Sequence, residues 1–145
     1  MNAKQASLIE PVKAREAATL LVIDDDVALR QMEVQMLRQL GYTVLEAKAP
    51  AEAMQLAAAT PTIDLLLADF GTSEVNGLEL TRQLREVHPE TPVLIISGSW
   101  ETIYGRAEYP DRFAVLAKPF TYEELVEGVA AMLSASTTRQ AVASP

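Results

Sequence analysis

Four short apolar runs in this chain each hand over to a residue that can manage charge. TLLVI (19–23) runs into Asp24-Asp25-Asp26, IDLLLA (63–68) into Asp69, PVLII (92–96) into Ser97, and FAVLA (113–117) into Lys118-Pro119. If these ends meet in space, the acids repel, each close pair costing about 4 kcal/mol at 4 Å and an effective dielectric near 20. Such a cluster either takes up protons or recruits a cation. Hard carboxylate oxygens, with loop carbonyls and water, suit Mg²⁺. Lys118 adds a positive charge and Ser97 a hydroxyl that can bond a phosphoryl oxygen. An aspartate held beside them can itself accept phosphate as an acyl phosphate.

The elements behind these residues have to bring the run ends together. A fifth run, YTVLEA (42–47), completes a series of five strand-like segments, each followed by a helical stretch or polar loop. Four of the five lack clean alternation, as expected of parallel strands buried on both faces. YTVLEA carries Thr43 and Glu46 and suits an edge. Leu29, Met32, Met36 and Leu40 form a helical stripe read as core, stopped by Gly41. A second helix is expected over 50–59, a third on Leu80, Leu84 and Val87, and a poor fourth between Trp100 and Tyr109. Leu125, Val129, Met132 and Leu133 mark the last. Asp26 is expected to cap the helix after it. His88, before Pro89 at a helix end, reads as a solvated surface residue.

Five successive βα units imply an α/β three-layer sandwich, with a five-stranded parallel sheet between five helices and right-handed crossovers. Two common strand orders fit, and both put function at the carboxyl ends of the strands. In the flavodoxin-like order 2-1-3-4-5, the first and third strands are neighbours, which sets Asp69 beside Asp24 and Asp25.

The chain has 145 residues, 49% apolar and 22% charged, with a net charge of −8 and no cysteine. That size suits one domain. The acidity argues against a nucleic-acid surface, and the missing thiols exclude disulfides and thiolate metal sites. No segment has the length of a membrane span or the core of a signal peptide, so a cytoplasmic soluble protein is expected. Residues 1–18 read as an extension, 19–133 as the folded domain, and 134–145 as a disordered tail.

Taken in order, LLVIDDD, DLLLADF with NGLEL, PVLIISG and AKPFT resemble the receiver domain of two-component response regulators, the CheY-like family. The resemblance implies that Asp24 and Asp25 bind Mg²⁺, that Asp69 is the phosphoacceptor, and that Gly71 offers its carbonyl to the metal. It assigns Ser97 and Lys118 to the phosphoryl group and implies a cis Lys118-Pro119 bond. The implied partners are a sensor histidine kinase or histidine phosphotransfer protein and a downstream protein target, with no nucleic acid or membrane. The implied role is a phosphorylation-dependent switch or relay, not an enzyme, with no output domain after Leu133. Two features depart from the family pattern. Thr72-Ser73 stands where receivers commonly have Met-Pro, and Val115 holds the usual aromatic switch position. These departures leave open a receiver-shaped module independent of phosphorylation. A haloacid-dehalogenase-like phosphatase, imitated by Asp24, Asp26, Ser97 and Lys118, lacks its final acid pair and leaves Asp69 unexplained.

Overall fold

A computed structural model describes residues 18–69, 77–98 and 110–137. The strands are β1 (Thr19–Asp24), β2 (Thr43–Ala47), β3 (Leu65–Asp69), β4 (Val93–Ser97) and β5 (Phe113–Ala117). They form one parallel sheet in the order β2-β1-β3-β4-β5. Four helices lie among the described residues: α1 (Val27–Gln39), α2 (Pro50–Ala59), α3 (Gly77–Val87) and α4 (Tyr122–Thr137). The helix expected between Trp100 and Tyr109 lies outside the described residues, as do the extension up to residue 17 and the tail from 138. α4 continues past Leu133 to Thr137.

The unbroken apolar runs are explained by burial on both faces. Every residue of β3 and β4 is buried, and alternate side chains feed opposite layers. Leu20, Val22, Leu65, Leu67, Leu94 and Ile96 pack with Leu37 of α1 and Leu125, Val129 and Leu133 of α4. Leu21, Ile23, Leu66, Ala68, Val93 and Ile95 pack with Ala53 and Ala57 of α2 and Leu80 and Leu84 of α3. β2, the strand with polar positions, is an edge as expected.

Local signals set the helix ends. Asp26 caps α1, accepting from the Leu29 N–H at 3.0 Å. Gly41, just past the end of α1, takes a φ of 102°, which a side chain disfavours. Pro50 opens α2, where its missing N–H has no partner to lose.

Two readings from the pattern are corrected. The buried residues of α1 are Glu33, Val34 and Leu37, whereas Met32 is 51% exposed and Met36 and Leu40 only border the core. The helix is rotated because Val34 and Leu37 fill the layer against β1. A charged Glu33 on the same side concealed that face. His88 is not simply solvated: its Nε2 lies 2.8 Å from the Ala57 carbonyl, tying the end of α3 to α2.

Candidate functional site

The order of the strands brings the chemistry-bearing ends together. Asp24 and Asp69 close adjacent strands as direct partners in the β1–β3 ladder, and each is 1% exposed. Asp69 also pairs with Ile96, so Ser97 stands one step beyond it on β4, buried and opposite Ala117 of β5. Lys118 follows β5 directly. Its backbone N–H donates to the Ser97 carbonyl at 3.0 Å, and its Nζ lies 2.8 Å from Asp69 Oδ1. The Lys118-Pro119 bond is cis, as the resemblance implied. Asp25 is exposed and is not among the carboxylates that converge on the site. Gly71, Thr72 and Ser73 lie outside the described residues.

A residue that the sequence reading passed over completes the cluster. Glu33, on α1, is fully buried, and one carboxylate oxygen each from Asp24, Glu33 and Asp69 lie within 4.8 Å of one another. The one available signal was its position: Glu33 and Leu37 sit four residues apart, on the same face of α1. The backbone around the cluster is held in place. The Asp26 N–H donates to Asp24 Oδ1 at 2.9 Å. Arg30 donates to the Asp24 carbonyl at 2.7 Å and pairs with Glu46 of β2 at 3.2 Å.

Crowded acids in a dry mouth hold their protons more tightly. Burial, reinforced by the Asp24 and Asp69 charges, pushes the Glu33 carboxyl up to about 9. Burial and the Asp69 charge also lift Asp24 to about 6, against the opposing pull of the Asp26 N–H. Among the described residues, no donor reaches Asp24 Oδ2 or either oxygen of Glu33. Buried acceptors without donors, beside one ammonium, fit a hard divalent cation bound through oxygen.

The family model for the response regulator receiver domain matches residues 20–130. Sensor kinase CckA of Brucella abortus is 32% identical over 133 residues, which is 90% of this chain but 14% of that protein. Response regulator receiver protein CpdR of the same organism is 30% identical over 118 residues, 81% of this chain and 98% of that protein. The crystal structure of the receiver domain from the hybrid histidine kinase CckA superposes with a TM-score of 0.67 at 32% identity. It covers 80% of this chain and 99% of that one. Other curated relatives are also longer, the chain spanning 25% of the regulator NtrC of Azospirillum brasilense and 49% of MprA of Mycobacterium ulcerans.

Proposed function

The chain belongs to the response regulator receiver family, a signalling switch of two-component systems, and from that premise we propose that Asp69 is its phosphoacceptor. One observation carries this reading: Asp69 is buried at the strand end, 2.8 Å from the Lys118 ammonium and paired in the ladder with Asp24. A carboxylate so fixed loses little entropy on reaching an attack geometry.

The donor is the phosphohistidine of a sensor kinase or phosphotransfer protein. An Asp69 oxygen forms the new bond to phosphorus as the P–N bond breaks. The departing histidine nitrogen keeps the electron pair and takes up a proton. Asp24 and Asp69 converge where Mg²⁺ would be held, and the family resemblance adds the exposed Asp25 and the Gly71 carbonyl to that set. When bound, that ion supplies charge neutralisation at the phosphoryl oxygens. Lys118 offsets the same charge from the β5 side. The Ser97 hydroxyl is drawn toward the new phosphoryl oxygens, biasing a two-state equilibrium.

The output is contact with a protein partner or onward relay of the phosphate. Val115, half-buried on β5 beside the α2–α3 layer, replaces the aromatic of the family's usual relay. The signal therefore leaves without an aromatic rotation at this position. We place the protein in the cytoplasm; among the described residues no helix is long and apolar enough to cross a membrane.

The test is a small-molecule phosphodonor with Mg²⁺, read by intact mass. Wild type gains one phosphoryl group and Asp69→Asn gains none. Labelling that survives Asp69→Asn refutes the assignment, and an unlabelled wild type favours a receiver-shaped binding module.

A further inference from the structure

We propose that Glu33 is a carboxylate ligand of the divalent cation, reaching it from α1 while Asp24 and Asp69 reach it from the ends of β1 and β3. The inference rests on the reading of this mouth as a cation site and adds to it a residue that the motifs do not contain.

Three independent features point the same way. The first is position. Among the buried residues of α1, Val34 and Leu37 are apolar, and Glu33 is the charged exception with no exposed surface. An apolar side chain at that place would pack into the layer without the desolvation that a carboxylate suffers there. The second is the lack of donors. Among the described residues, no N–H or O–H donates a hydrogen bond to either oxygen of Glu33. Arg30, one turn earlier, is committed to the Asp24 carbonyl and Glu46, and Lys118 is committed to Asp69. The third is distance. Two oxygens on opposite sides of one cation stand about 4.2 Å apart around Mg²⁺ and about 4.8 Å around Ca²⁺, from bond lengths near 2.1 and 2.4 Å. The oxygens of Asp24, Glu33 and Asp69 already lie within 4.8 Å of one another, so one ion of this class spans the set with little rearrangement.

Asp25 is exposed and stands apart from the converging carboxylates. Glu33 is buried like Asp24 and Asp69 and comes from α1, so the ion would be gripped from helix and sheet together. One more protein carboxylate raises the negative charge and the number of ligands. Both raise affinity and favour cations that accept several protein oxygens, such as Mn²⁺ and Ca²⁺, relative to the water-retaining Mg²⁺. The competing account is that Glu33 only shares a proton with Asp24 and never meets the ion. Under that account, removing its charge leaves cation binding equal or tighter.

Calorimetric titration with Mg²⁺ and Mn²⁺ at fixed pH and ionic strength separates the two, using wild type, Asp24→Asn, Glu33→Gln and Glu33→Leu. Wild type is expected to bind, and Asp24→Asn to lose binding. Both Glu33 variants should bind about tenfold or more weakly, with the larger loss for Mn²⁺. Melting temperatures give a second readout: the rise on adding Mn²⁺ should shrink in Glu33→Leu, a variant that keeps the core filled even if the Gln variant folds poorly. Equal or tighter binding by the Glu33 variants, with Asp24→Asn still defective, overturns the role of Glu33 alone. A wild type that binds neither ion, or an Asp24→Asn variant that binds normally, overturns the cation site itself and this inference with it.

Discussion

The ammonium of Lys118 lies 2.8 Å from Oδ1 of Asp69, joining the end of β5 to the end of β3 across β4. Asp69 is 1% exposed and faces two other acids, so this contact offsets part of a repulsion that the solvent cannot screen. Lys118→Met keeps much of the side-chain volume and removes the charge. Phosphorylation by a small-molecule donor should slow about 10²-fold or more, the usual cost of one preorganised electrostatic partner. The cation-free protein should lose about 1–3 kcal/mol in urea unfolding. Unchanged labelling would remove Lys118 from the reaction.

The rotation of α1 makes a sharp contrast between two of its apolar residues. Leu37 is fully buried against β1, while Met32 is 51% exposed. Leu37→Ala should cost about 2–5 kcal/mol, and Met32→Ala should stay within about 0.5 kcal/mol. Denaturant midpoints measure both. A large loss at Met32 would restore the Leu29-Met32-Met36 stripe as the packed face.

That pair also shows what the sequence made legible. Strand identity was readable because burial on both faces writes itself as unbroken apolar runs, and four of the five runs hand over to a charged or hydroxyl residue at one edge; the runs alone left two strand orders open. Asp24, Asp69, Ser97 and Lys118 were findable for that reason. Glu33 was not, because a lone glutamate in a helix looks like surface: its burial depends on the rotation of α1, which is set by packing against β1. The stripe through Met32 misled for the same reason, since apolar spacing alone does not say which side of the helix packs against β1.

Arg30 is the tie between α1 and the site's strands. It is 13% exposed at the side chain, donates to the Asp24 carbonyl at 2.7 Å, and pairs with Glu46 at 3.2 Å. Arg30→Ala should destabilise the protein by about 1–2 kcal/mol, because the carbonyl loses its partner in a half-buried place. Glu46→Gln should cost under about 1 kcal/mol, since Glu46 is 39% exposed and its pair is partly screened. Urea unfolding of the two variants and their double mutant separates the shares. Equal losses would mean that the Glu46 pair, not the carbonyl, carries the tie.

The raised carboxyls make stability depend on pH in a direction opposite to that of ordinary salt-bridged acids. Glu33 is lifted from 4.5 to about 9, first by burial and then by the Asp24 and Asp69 charges, with Lys118 opposing. Asp24 is lifted from 3.8 to about 6 by burial and the Asp69 charge, with the Asp26 N–H and Lys118 opposing. In both cases the folded state binds a proton that the unfolded chain has already released, so stability falls as pH rises through that interval. The contribution of Asp24 is complete below about 3.8 and gone above about 6; that of Glu33 is complete below about 4.5 and gone above about 9. In chelator-treated buffer, the melting temperature should therefore decline from about pH 5 to pH 9. Glu33→Gln, which carries no titrating proton, should flatten the decline above about pH 6. A bound divalent cation should do the same by replacing the proton, with affinity rising as pH rises. Melting curves across the range, with and without Mg²⁺, check both effects. A cation-free profile that is flat or rising over that interval would mean that the cluster is charged in the folded protein.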